Sequence, residues 1–179
     1  GGGSNVLLSS DFDGLVIKIS IKGIEVIGEN EDCVYLKSMA GEVWHELVMY
    51  TLQHDWGGLE NLSLIPGQVG AAPMQNIGAY GVELKEVFKE LEAIEIKSNQ
   101  LKKFTAEDCS FGYRESIFKN SHKGQFIIVS ITLKLEKRLD NVKLKYGAIQ
   151  KVLDERGIQK PDAKAVSDAV IQIRQSKLP

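Results

Sequence analysis

The sequence holds only two cysteines, Cys33 and Cys109, far apart and in no spacing that suits a set of metal ligands. That scarcity excludes a disulfide framework, and two reduced, partly buried thiols are expected. The three histidines, His45, His54 and His122, are scattered. None forms an H-E-x-x-H or similar cluster with the cysteines, so a zinc site has no support. An excess of one charge is also lacking, since 22 basic and 24 acidic residues leave a net charge of -2. This balance removes the electrostatic footprint of a general nucleic-acid or anionic-membrane binder. No run of about 18 apolar residues is present to cross a bilayer, and no basic-then-apolar leader opens the chain. A soluble, cytoplasmic protein is expected.

What is present suits one domain, or one large domain with part of a neighbour. Of 179 residues, 43% are hydrophobic and 26% charged, enough for a core without staples. Residues 15–20, 24–28 and 33–40 read as strands. From Val43 apolar residues fall at helical spacing until Gly57-Gly58. Residues 87–96 alternate like a strand, Ser98-Asn99 suggests a hairpin turn, and 101–104 reads as the returning strand. Thr105 can cap a short helical turn through Asp108. Residues 126–135 form the clearest strand, and helices are expected at 147–156 and 163–176. Strands grouped before the final helices argue an α+β fold, with a mainly antiparallel sheet flanked by helices.

The segment 59–81 differs from the rest. Gly67, Gly70, Gly78 and Gly81 with Pro66 and Pro73 forbid a long regular element, and long irregular segments inside compact domains tend to carry function. Backbone N–H groups free of Cβ bulk can converge on a phosphate, and two glycine-rich stretches could do so: Gly1 to Asn5 and Pro66-Gly67-x-x-Gly70. Neither matches the dinucleotide or the phosphate-loop fingerprint. Taken alone, Gly1-Gly2-Gly3-Ser4 reads as an engineered linker. Both ends read as cuts, the second straight after a helical pattern at Lys177-Leu178-Pro179.

The run Leu64-Ile65-Pro66-Gly67-Gln68-Val69-Gly70-Ala71-Ala72-Pro73-Met74-Gln75-Asn76-Ile77-Gly78-Ala79-Tyr80-Gly81 resembles the flavin loop of the bacterial UDP-N-acetylenolpyruvoylglucosamine reductases. Phe111-Gly112-Tyr113-Arg114-Glu115-Ser116-Ile117-Phe118-Lys119 resembles that family's active-site arginine segment. Lys145-Tyr146-Gly147 and residues 174–179 are similar to two further stretches in the same order. Gly1-Gly2-Gly3-Ser4-Asn5 then resembles its pyrophosphate loop, which displaces the linker reading. The resemblance implies the second subdomain of a vanillyl-alcohol-oxidase-type FAD-binding fold. It also implies FAD as cofactor, NADPH as co-substrate and the enolpyruvyl ether of UDP-N-acetylglucosamine as substrate, in peptidoglycan precursor synthesis.

By the same resemblance Arg114 is catalytic, since a planar, permanently charged guanidinium suits the substrate carboxylate as enolate-like charge builds beside it. Gly1, Gly2, Gly3, Ser4, Asn5, Gly70, Ala71, Gln75, Asn76, Gly78, Ile128 and Arg174 are implied to hold the cofactor. Gln75 and Asn76 would supply hydrogen bonds to ring or ribose, while Pro66 and the glycines shape the backbone. Ala71 and Ala72 stand where many relatives carry serine, removing two hydroxyls. Tyr113, Tyr146 and Lys177 are implied to meet substrate, with Arg174 and Lys177 expected on one face of the last helix. The resemblance places the proton donor, a serine helped by a glutamate, in a later domain, and a further subdomain ahead of the glycine loop. A fragment that folds, binds FAD weakly or not at all and does not turn over is therefore expected, with raised mobility around Gly67. Two alternatives stay open: another flavin oxidoreductase on this fold, and a noncatalytic binding domain.

Overall fold

The computed structural model describes Leu7 and residues 9–144 and 146–177. Strand β1 (Ile24–Glu29) turns back into β2 (Cys33–Met39) at Asn30, whose side-chain oxygen accepts the N–H groups of Asp32 and Cys33 at 3.0 and 2.7 Å. Such a side chain mimics a backbone turn and fixes the register. Along β2, Val34, Leu36 and Ser38 are buried while the residues between are not, the period-2 pattern of a strand with one face on a core. Helix α1 (Trp44–Gln53) follows and buries Trp44, Leu47, Val48, Thr51 and Leu52. It is shorter than the helical pattern suggested, because the chain turns at His54 and Asp55 takes φ 61°.

Past the glycine-rich segment, two-residue strands β3 (Gly78–Ala79) and β4 (Val82–Glu83) make a small hairpin. Its tip, Tyr80-Gly81, has φ of 50° and 81°, the left-handed pair that a two-residue hairpin turn requires. Strands β5 (Phe88–Glu95) and β6 (Leu101–Thr105) form the next hairpin. Thr105 and Asp108 then exchange bonds as a capping box on the single turn α2 (Ala106–Cys109). Strand β7 (Phe126–Glu136) is central. It pairs with β2 and β5, giving the antiparallel order β1-β2-β7-β5-β6. The expected α+β fold with a mainly antiparallel sheet is what the structure has.

Residues 15–20, expected as a strand, run extended without strand pairing. Their composition is right for a strand, but a strand is defined by hydrogen-bonded neighbours. The next residues make such bonds only singly, Gly41 N–H to Ile21 and Met39 N–H to Gly23, each at 2.9 Å. Leu15, Val16 and Ile17 remain 82, 76 and 62% exposed.

Helices α3 (Gly147–Glu155) and α4 (Ala163–Gln175) pack on each other through Ile149, Val152 and Leu153 against Val166, Ala169, Val170 and Ile173. Asp162, just after Pro161, caps α4 by accepting the Ala165 N–H at 2.8 Å. Helix α4 lies over the turn Glu60–Leu62, where the hydroxyls of Ser63 and Ser167 meet at 2.7 Å. Because α4 ends at Gln175, Lys177 lies beyond it rather than on its face with Arg174.

Glu60 in that turn is 4% exposed and accepts the Gly58 N–H at 2.7 Å. Burial pushes its carboxyl above the ordinary 4.5, against the lowering pull of the Glu60 and Gly58 N–H groups and Lys143. The folded state therefore favours the protonated form, and stability falls as pH rises from 4.5 through the raised pKa. Glu60→Gln is expected to melt higher than the wild type at about pH 7.5, with the gap closing toward about pH 4.5. Calorimetry across that range checks it, and a gap that does not change with pH would contradict the assignment.

Candidate functional site

The glycine-rich segment is moored to the end of β2 and the start of α1. Gly70 N–H bonds Ala40 and Val69 N–H bonds Glu42, each at 2.9 Å, while Trp44 N–H bonds Gly67 at 3.0 Å. A Cβ on Gly70 would lie 2.6 Å from the Ala40 Cβ, so this glycine is required for close approach rather than for an unusual φ. Ala71 N–H bonds Gln68 and Ala72 N–H bonds Val69, both at 3.0 Å. Four successive N–H groups, 69 to 72, thus already have protein acceptors. At the expected phosphate cradle Pro66-Gly67-x-x-Gly70, the Gly70 N–H is therefore engaged within the protein. The other glycine stretch, Gly1, Gly2, Gly3, Ser4 and Asn5, lies outside the described residues.

What the segment does form is an apolar wall. A cleft of about 400 Å³ is lined by Leu15, Ile17 and Ile19, by Gly70, Ala71 and Met74, and by Ile127 and Ile128 of β7. That size and lining suit a flat, largely apolar ring system. Of the residues expected to hold a cofactor, Gly70, Ala71 and Ile128 are brought together here. This lining fits the ring portion of a flavin.

Gln75 and Asn76, expected to act alike, differ. Gln75 is half-buried, whereas Asn76 is fully buried with φ 42°. The Asn76 amide donates to Gly112 O at 2.9 Å and accepts the Lys85 N–H at 3.0 Å. Its side chain is therefore a strut between loops. Two more bonds join the same loops: Ser116 Oγ to Met74 O at 2.7 Å and Arg114 to Gly78 O at 2.5 Å. Met74 lines the cleft, so the arginine loop is fastened to the back of the cleft wall. Arg114 itself is exposed at φ 55°, with Lys119 Nζ on its carbonyl at 2.8 Å, and Tyr113 is 84% exposed.

Gly78 links this arginine to the β3–β4 hairpin, and the tip residue Tyr80 packs edge-on against Tyr146, ring centres 5.2 Å apart at 87°. Tyr113, Arg114 and Tyr146 are thereby grouped around one hairpin. Arg174 is placed elsewhere, its Nε donating to Leu64 O at 3.0 Å at the head of the glycine segment. Lys177 is exposed, and among the described residues no side-chain hydrogen bond joins it to another candidate. Among the described residues seven other than glycine have positive φ, and four of them, Leu64, Asn76, Tyr80 and Arg114, fall in these two motifs. Backbone strain of this kind concentrates where function needs it.

Sequence reasoning missed His45, Ser116 and Tyr80. Ser116 and Tyr80 lie inside the matched motifs, and the Tyr80-Gly81 pair is a turn signal. His45 gives no sequence signal, being one of several polar residues on α1. Its Nδ1 accepts the Leu64 N–H at 3.1 Å. Burial lowers its pKa, partly offset by Glu46.

The FAD binding domain family matches residues 1–102, more than half of the chain, and the chain belongs to that family. Over 179 residues it is 54% identical to the UDP-N-acetylenolpyruvoylglucosamine reductase of Flavobacterium johnsoniae, covering all of this chain and 53% of that one. The protein of the same name from Amoebophilus asiaticus is 56% identical over 179 residues, with 52% of its length covered. That from Burkholderia ambifaria is 49% identical over 182 residues, also with 52% covered. The chain spans about half the length of the curated relatives it matches. A crystal structure of UDP-N-acetylenolpyruvylglucosamine reductase (MurB) from Thermus caldophilus overlaps 78% of this chain and 68% of its own, at 22% identity and a TM-score of 0.49.

Two measurements check the site. Asn76→Ala leaves the Lys85 N–H without its partner and the Gly112 carbonyl with the longer 3.3 Å bond from the Glu115 N–H, and should cost about 1–3 kcal/mol in urea unfolding, while Gln75→Ala should stay within about 0.5 kcal/mol. Equal effects would refute the strut. A protonated His45 cannot accept the Leu64 N–H, and its lowered pKa means stability present above about 6.5 is lost as pH falls. His45→Asn keeps an acceptor there without titrating, so the wild type should lose melting temperature relative to it between about pH 7 and 5. Parallel melting curves over that interval would show that the histidine bond does not matter.

Proposed function

We propose that this chain is the FAD-binding part of a cytoplasmic reductase that uses NADPH to reduce the enolpyruvyl ether of UDP-N-acetylglucosamine to UDP-N-acetylmuramate. The observation that carries this reading is the set of three bonds from Asn76, Ser116 and Arg114. They register an exposed arginine against the segment that lines the apolar cleft. The similarity of the whole chain to reductases of that name supports the choice of substrate.

Bound FAD would accept hydride from NADPH and pass it to the substrate. Gly70, Ala71 and Ile128 would face the ring, and Gly78 would set the distance of Arg114 through its carbonyl. Gln75, half-buried beside the cleft, would supply a polar contact, with Gly1 to Asn5 on the pyrophosphate. Arg114 has one terminal nitrogen on Gly78 O, so its remaining N–H groups are available to a substrate carboxylate. A fixed fork of donors there stabilises charge that grows as hydride adds to the double bond. Tyr113, Tyr146 and Lys177 would meet other parts of the substrate, and Arg174 would act through Leu64. The proton that completes the reduction is assigned to no residue of this chain.

In the full-length protein, Arg114→Lys keeps the charge and loses the planar fork. It is expected to lower turnover on the order of 10²–10³-fold while FAD absorbance and the rate of flavin reduction by NADPH hold. Turnover preserved in Arg114→Lys would remove the arginine from the chemistry. A full-length protein that binds no FAD, or binds it but leaves the enolpyruvyl substrate unreduced, would sink the functional reading.

A further inference from the structure

Asn61 is 1% exposed, and its bonding runs through the amino group alone. Nδ2 donates to Tyr80 O at 3.1 Å and to Lys143 O at 3.0 Å, partners 19 and 82 residues away in sequence. Among the described residues Oδ1 has no hydrogen-bond partner. Each carbonyl belongs to a piece that carries a candidate substrate contact. Tyr80 is the hairpin tip, two residues past the Gly78 carbonyl that holds Arg114. Lys143 is three residues before Tyr146, whose own carbonyl accepts the Ile149 N–H at 2.9 Å in the first turn of α3.

We propose that Asn61 is a positioning residue that sets Tyr146 against the β3–β4 hairpin, so that Tyr146 and Arg114 meet the same anionic substrate. The inference rests on the reading that both residues face substrate. Three features support it. The Tyr146 ring is 46% exposed, and its grip on the Tyr80 ring is a single edge contact, so packing alone holds it weakly. Tyr80 takes φ 50° as the hairpin turn requires, and the Asn61 amide bonds the carbonyl of that turn residue. The turn bearing Asn61 is itself clamped by α4, so the amide is a fixed point rather than a follower. One amino group thus holds two separate pieces at a common distance, and relative orientation of substrate-binding groups is what rate enhancement depends on.

The test uses the full-length, FAD-loaded protein with fluorotyrosine incorporated, the Tyr146 resonance being assigned by its loss in Tyr146→Phe. Asn61→Leu removes both donated bonds without adding charge, and Asn61→Ser, which keeps one donor, serves if the leucine variant does not fold. The Tyr146 resonance is expected to shift and the KM for the enolpyruvyl substrate to rise about tenfold, a size reached by directly coupled residues. The rate at which NADPH bleaches the flavin should stay unchanged. In a Tyr146→Ala background the KM effect of the Asn61 change should vanish. An unmoved Tyr146 resonance in a folded variant overturns the proposal, as does a KM effect that persists without Tyr146. If Tyr146→Ala alone leaves KM unchanged while the Asn61 variants still move the resonance, the substrate assignment of Tyr146 is what fails, and the proposal falls with it.

Discussion

The arrangement depends on one buried amide. Asn76 sits in a left-handed conformation with no exposure to solvent, and both ends of its side chain meet backbone, Gly112 on one side and Lys85 on the other. Backbone polar groups taken from water must find partners; the Lys85 N–H finds one in Asn76, and the Gly112 carbonyl adds the Asn76 amide to a longer bond from Glu115 in its own loop. Without Asn76 the arginine loop, which has little regular structure beyond a single 3-10 turn at Ile117–Lys119, would be tied to the glycine segment only by Ser116 and by Arg114 itself. An arginine that must hold its own loop in place is not free to hold a ligand. The asparagine relieves it of that task, leaving most of the guanidinium to face outward.

The same economy of polar groups explains the character of the cleft. A glycine-rich segment can turn its N–H groups toward a ligand or toward the protein. Here residues 69 to 72 bond to Ala40, Glu42, Gln68 and Val69, and the surface left over is apolar. Such a wall favours burial of a ring and offers little to a phosphate. Ala71 fits that division, because its methyl group lines the cleft, whereas Ala72 is buried in the core. Ala71, read from sequence as a lost contact, is consistent with a wall whose polar work is done elsewhere.

Elements whose signal is local were legible from sequence. The alternation in residues 33–39 and 126–136, the Thr105–Asp108 capping box and the Pro161-Asp162 start of α4 are each set by neighbours in the chain, and each forms close to where it was read. Residues 15–20 carry the same local signal, yet a strand needs a partner, and partnership is not written in six residues. The site divided along the same line. Motif identity placed Arg114, Gly70 and Asn76 in one region, but a motif does not say which way an amide points. Gln75 and Asn76 are adjacent and chemically alike, and only the packing of two loops 36 residues apart gives one a strut's role. His45 and Asn61 were invisible for the same reason, since their partners lie 19 residues or more along the chain.

The topology constrains how a dinucleotide can be held at all. Every strand pair among the described residues is antiparallel, so the fold offers no parallel strand leading into a helix, the geometry that usually points a helix N-terminus at a pyrophosphate. Helix α4 is a poor substitute, because the Asp162 carboxylate caps the Ala165 N–H and adds a negative charge there. Recognition in such a fold has to come from loops, and loops hold shape only when their backbone groups are anchored. That requirement accounts for the buried Asn76, for the His45 bond to Leu64 and for the Arg174 bond to the same residue. These three polar side chains brace a segment whose regular structure is two 3-10 turns, Val69–Ala71 and Pro73–Gln75, and the short strand β3. Their positions follow from the need to make an irregular wall rigid, and rigidity is what lets an apolar cleft distinguish a flat ring from any other apolar surface.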